Sequence, residues 1–146
     1  DLALDGVSCS LCHQIKNDST LGTLAGYTGG YKIDMTLVGT NRIMYGPYAD
    51  NTLFPGPMRN NAANGGALRA NPVYGEHISK SELCGTCHDL KTPTVDESGT
   101  ILSTTPESEF PEQMPYSEWK NSAFNFGPSP ISCQQCHMAR ADQVYI

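Results

Sequence analysis

Apolar and polar side chains alternate most clearly at residues 31–38, Tyr-Lys-Ile-Asp-Met-Thr-Leu-Val, which puts Tyr31, Ile33, Met35 and Leu37 on one face of a predicted strand. Leu24 to Thr28 precede it and Gly29-Gly30 lie between, so the segment reads as a hairpin on a primed turn. Thr92 to Thr105 carry Asp96-Glu97-Ser98-Gly99 between β-branched residues and read as a second small hairpin. Helical signals are short. Ser79-x-x-Glu82 and Ser132-x-x-Gln135 have capping-box form, and Pro115 suits the first turn of a helix through Trp119 to about Ala123. Residues 46–75 are rich in Gly, Pro and Asn and should be irregular. The pattern predicts mostly irregular coil with short α-helices and one or two small β-hairpins.

Composition sharpens this. The chain has 146 residues, of which 38% are hydrophobic, with 14 Gly, 10 Pro and a single Trp, a thin supply of core-forming side chains for its length. Something other than protein should fill the middle. No apolar run approaches the roughly 18 residues that span a bilayer, so no transmembrane segment is expected. The start, Asp1-Leu2-Ala3-Leu4-Asp5, does not have the form of a signal peptide, which puts any export signal outside this chain. A formal charge of −6 with only nine Lys and Arg excludes a nucleic-acid binder, because phosphate neutralisation needs clustered cations.

The decisive pattern is in the cysteines. All six fall in the runs Cys9-Ser10-Leu11-Cys12-His13, Cys84-Gly85-Thr86-Cys87-His88 and Cys133-Gln134-Gln135-Cys136-His137, which also take three of the four histidines. Structural disulfides would not require a His after every pair. Zinc sites need four ligands, usually two paired units, and three units leave an odd one. Covalent haem accounts for every member. Two thiols three positions apart on an incipient helix lie on nearly the same side and can add to the two haem vinyl groups, while the next residue binds the iron. Cys9, Cys12, Cys84, Cys87, Cys133 and Cys136 are thus the expected thioether positions for three haem c groups, and His13, His88 and His137 the proximal ligands.

With these runs, Asp5 to Ile15, Tyr45-Gly-Pro-Tyr-Ala-Asp50, His77 to His88, Phe110 to Trp119 and Ser132 to Met138 resemble stretches of the multihaem c-type cytochromes. The likeness spans most of the chain. It implies a haem-cored fold forming one trihaem module over residues 1–146. In such relatives these phrases sit inside a longer protein, which would make this chain a part of one. It further implies export from a bacterial or archaeal cytoplasm to a periplasmic, cell-surface or extracellular location.

Ligand counting adds a constraint. Three bis-histidine haems would need two histidines each, and the chain has four in all, so at most one haem is bis-His from this chain. Exchange between identical subunits leaves that ratio unchanged. His77 is the spare and the expected distal ligand, to a neighbouring haem rather than the one tethered at Cys84, where short covalent links would strain the loop. Met58, in the stiff loop Phe54-Pro-Gly-Pro-Met58 and similar in place to a family methionine, is the next candidate, and Met114 a weaker one.

Three functions fit. Electron transfer through closely spaced haems of unlike ligation leads, with redox proteins, other multihaem cytochromes or copies of the chain as partners. A haem enzyme with an open distal site, using donors such as Arg42, Arg59 or Lys120, is the alternative that ligand scarcity keeps alive. The third is a subunit of a polymeric haem conduit.

Overall fold

A computed structural model describes residues 6–38, 41–49 and 70–138. These fall into two compact units, each assembled from separated stretches of sequence: residues 1–18 with 31–78, and residues 19–30 with 79–146.

The first unit begins with α1 (Cys9–Cys12), a single helical turn entered from Ser8 in extended conformation. Its tail is met by residues 31–38. Lys16 donates its N–H to the Lys32 carbonyl at 2.7 Å, Asp34 donates to the Gln14 carbonyl at 2.9 Å, and Ile15 and Ile33 form one antiparallel bridge. The predicted hairpin between residues 24–28 and 31–38 therefore does not form. Leu24–Gly26 is a 3-10 turn, and the alternation holds through Ile33 but breaks at the next step: the polar Asp34 is 6% exposed while the apolar Met35 is 69% exposed. Asp34 turns inward because its carboxylate is hydrogen-bonded there, by the Thr36 N–H at 2.9 Å and the Tyr45 hydroxyl at 2.6 Å. The primed turn itself exists one residue early. The Gly30 N–H meets the Tyr27 carbonyl at 3.0 Å across Thr28 and Gly29, whose φ values of 55° and 77° are both positive, as such a turn requires.

Strand β1 (Ile43–Gly46) pairs in parallel with β2 (Asn71–Tyr74), in register Ile43 to Asn71 and Gly46 to Tyr74. This corrects the expectation of irregular chain throughout 46–75. Pro72 is tolerated because a two-stranded sheet has only edges. Residues 50–69, and with them Met58, lie outside the described residues. A 3-10 turn, Glu76–Ser79, follows β2.

The second unit is built on α2 (Ser81–His88). The expected box of Ser79 with Glu82 is absent. The 3-10 turn runs through Ser79, so the helix starts after Lys80, which makes no side-chain cap. β3 (Leu90–Thr92) and β4 (Phe110–Gln113) form an antiparallel pair with a register shift between Leu90 and Lys91. Between them the chain reverses at Asp96 to Thr100, with Val95 bridged to Ile101 and Gly99 at φ 86°, so the second predicted reversal is present as a bridge around a turn. α3 (Pro115–Lys120) starts at Pro115 as expected but stops before Ser122, whose hydroxyl accepts from the Phe124 N–H at 3.2 Å and opens α4 (Ala123–Phe126). α5 (Cys133–His137) carries the predicted capping box of Ser132 and Gln135.

Buried hydrophobic side chains among the described residues are few. In the first unit there is Ile15, in the second Leu83 and Tyr116. Large apolar side chains such as Val7, Met35, Phe124 and Phe126 stand more than half exposed.

Candidate functional site

All three Cys-x-x-Cys-His runs fold alike. Each pair of cysteines lies on one short helix, and the histidine is its last residue or the one just beyond: His13 caps α1, His88 ends α2 and His137 ends α5. None of the six cysteines is in a disulfide. Cys9, Cys12, Cys87 and Cys136 are exposed, while Cys84 and Cys133 are half-buried.

In the first unit, His13 is held on both sides by Tyr45. Its Nδ1 donates to the Tyr45 carbonyl, and the Tyr45 N–H donates to the His13 carbonyl at 2.6 Å. A carbonyl only accepts, so Nδ1 carries a proton and the neutral ring keeps its lone pair on Nε2. That is the tautomer a metal-ligating histidine needs, with a second group fixing the ring and raising the basicity of the ligating nitrogen.

His77 is brought to the same unit and touches the same tyrosine. The ring of Tyr45 stands edge-on to it, centroids 4.8 Å apart at 76°. His77 is 3% exposed, and its Nε2 donates to the Ile15 carbonyl at 2.8 Å. The neutral ring then holds its lone pair on Nδ1, which is buried without a partner. Burial lowers the pKa of His77, and the Ile15 carbonyl opposes this more weakly, so the ring is kept neutral and ligand-ready in protonation. Gly75 makes room for it: a Cβ there would lie 2.8 Å from the His77 ring. An unpaired buried nitrogen costs roughly 1–3 kcal/mol. The polar donor set of this unit thus fits an iron ligand pair in kind, with the Nε2 lone pair of His13 and the Nδ1 lone pair of His77 both left over.

In the second unit, the α2 and α5 motifs are tied by two hydrogen bonds, each between a side chain and a main-chain group. The Cys133 N–H donates to Ser81 Oγ at 3.0 Å, and Gln134 Nε2 donates to the Lys80 carbonyl at 2.8 Å. Beneath α2 lies Tyr116, 2% exposed, with Tyr27 edge-on at 5.9 Å and Trp119 at 5.7 Å. Burial pushes the Tyr116 hydroxyl pKa up, so it stays protonated. Asp89, directly after His88, is fully buried and accepts from the Ser117 N–H at 3.0 Å and from the Ser117 hydroxyl, which fixes the exit of the motif to the start of α3. His88 and His137 are exposed.

No family model matches the chain, and neither does any curated protein or solved structure. The functional reading therefore rests on the residues and their geometry.

Met114 is half-buried at the start of α3, where its carbonyl accepts from the Glu118 N–H at 2.9 Å. Among the described residues no group of three or more His, Cys, Asp and Glu gathers as a metal cluster, so the four ligands of a zinc site do not come together there. A haem asks less, one protein donor on each face. Sequence reasoning missed Tyr45 and Asp34. Nothing in the local pattern marks a tyrosine whose main chain, rather than its side chain, serves the histidine.

Proposed function

We propose that the chain is an electron-transfer module of the multihaem c-type cytochrome kind, carrying three covalent haem c groups of unlike axial ligation. The observation that carries this reading is the common build of the three motifs: paired thiols on one helix, outside any disulfide, with a histidine at its end. When bound, haem supplies the one-electron iron couple. The six cysteines would tether it, and His13, His88 and His137 would hold the irons from one side. His77 would serve one distal position, with Met58 or Met114 as further donors. Among the described residues, the exposed apolar side chains of each unit and the few buried ones are what a fold that packs on cofactors should look like.

Among the described residues no helix is long and apolar enough to cross a membrane. The reading places the protein outside the cytoplasmic membrane of a bacterium or archaeon, in the periplasm, on the surface or beyond it. Its partners there would be redox proteins, other multihaem cytochromes or further copies of the chain.

Intact mass of the protein from a host that attaches c-type haem should exceed the polypeptide by three haems, and a mass without them overturns the proposal. A redox titration should then show unlike midpoint potentials, because this chain supplies a second histidine to at most one centre. Carbon monoxide added to the reduced protein separates transfer from catalysis: no rapid stoichiometric binding supports transfer, whereas one haem binding at once favours an enzyme with an open site.

A further inference from the structure

Asp34 is a buried carboxylate, and the described residues give it no salt bridge. Taking such a charge out of water is costly unless hydrogen bonds replace the lost hydration. Here they do. Thr36 donates its N–H to Oδ1 at 2.9 Å, and the Tyr45 hydroxyl donates to Oδ2 at 2.6 Å. The backbone of Asp34 is pinned as well, its N–H on the carbonyl of Gln14, the residue after His13, at 2.9 Å. Tyr45 closes the circuit, because its carbonyl accepts from His13 Nδ1 and its N–H donates to the His13 carbonyl. The path from His13 through Gln14, Asp34 and Tyr45 returns to His13 in four hydrogen bonds. One ties Asp34 to the Gln14 carbonyl, one ties the Tyr45 hydroxyl to the Asp34 carboxylate, and two join the Tyr45 main chain to His13.

From this geometry we infer that Asp34 and Tyr45 are positioning residues for His13, a role that rests on the proposed haem function of that histidine. The Tyr45 hydroxyl is bonded to Asp34, and it is the Tyr45 carbonyl that meets His13. Its hydroxyl, anchored on Asp34, fixes the strand so that the Tyr45 carbonyl stays aimed at Nδ1. A firmly held acceptor there makes Nε2 a stronger donor and favours the oxidised iron. Loosening the acceptor should therefore raise the midpoint potential of that one centre. Asp34→Asn also raises it by deleting a nearby negative charge, so Tyr45→Phe, which keeps the charge and every main-chain donor and acceptor, isolates the positioning effect.

The test uses the holoprotein. Mass spectrometry first counts the haems in wild type, Tyr45→Phe, Asp34→Asn and a control, Tyr27→Phe, which removes a comparable half-buried hydroxyl from the second unit. The expected result is an upward shift of the same single midpoint potential in Tyr45→Phe and Asp34→Asn, with a change in the low-spin ferric EPR signal of that centre. The other two potentials stay in place, and Tyr27→Phe leaves the shifted one untouched. Three haems with all potentials unchanged in both variants overturns the inference, as does an equal shift in the control. Should Tyr45→Phe not accumulate, NMR of the wild type decides: the His13 Nδ1 proton exchanging slowly with solvent supports the clamp, and rapid exchange refutes it. A chain without haem fails the proposed function instead, and the count of attached haems keeps the two failures apart.

Discussion

Gly85, between the two cysteines of the second motif, has a role that its neighbours do not share. A Cβ built on it would fall 2.8 Å from two atoms of the Tyr116 ring, which is itself buried. In an exposed helix, Gly→Ala gains about 1 kcal/mol of propensity. Here the ring has no free direction, and overpacking of roughly 1–3 kcal/mol outweighs the gain. Gly85→Ala should lower the thermal midpoint of the protein, and a rise would show that Tyr116 is not packed on α2. Asp34 gives a second test at this scale. Hydrogen bonds from Thr36 and then Tyr45 hold its carboxyl down at about 2 against an ordinary 3.8, while burial and then Asp34 push the Tyr45 hydroxyl up to about 12. Between pH 4 and 2 the unfolded chain binds the proton that the folded one refuses. The contribution of Asp34 is thus full above about pH 4 and fades as pH falls toward 2. Denaturant midpoints of wild type and Asp34→Asn should differ by on the order of 1 kcal/mol near neutral pH and converge toward pH 2. A gap that widens in acid would contradict the hydrogen-bonded carboxylate.

The short helices differ in how far their ends were written locally. α5 was legible because Ser132 and Gln135 satisfy each other within one turn, Ser132 accepting the Gln135 N–H at 3.3 Å and Gln135 Oε1 taking the Ser132 N–H at 2.7 Å. The same spacing at Ser79 and Glu82 misled, because the preceding 3-10 turn had already used Ser79 and moved the helix start. Ser132→Ala should cost about 1 kcal/mol and speed amide exchange at Gln135, with no effect on exchange in α3. Uniform acceleration through the second unit would mean the cap does more than close α5. The strand predicted at 31–38 failed for a different reason. Alternation reports which phase is apolar, but not that Asp34 would find partners inside while Met35 and Leu37 remain outside. The three motifs needed no tertiary information, whereas the Tyr45 carbonyl that fixes His13 depends on a strand 32 residues away in sequence.

At the scale of the whole molecule, the small number of buried apolar side chains among the described residues has a consequence for the chain without the proposed haems. Ile15 in one unit, and Leu83 with Tyr116 in the other, remove little surface from water among the described residues, and at about 25 cal/mol per Å² they fall far short of the conformational entropy of ordering the chain. A variant with all six cysteines changed to serine should show no cooperative thermal transition by circular dichroism. A sharp transition in that variant would mean the protein packs without cofactors. The thin apolar fraction, visible from composition, agrees with the few buried apolar side chains among the described residues, although composition could not divide the chain in two.

That division has its own consequence for anyone who would dissect the protein. Polypeptide passes from one unit to the other after residues 18, 30 and 78. A single cut after Ile78 would leave the early piece carrying residues 19–30 as a stray loop. The late piece would lose the N–H groups of Thr28 and Gly29, which donate to the carbonyls of Asp89 at 2.9 Å and Thr86 at 2.7 Å. The two units are interleaved in the gene, so they can be separated cleanly only by rejoining segments in a new order.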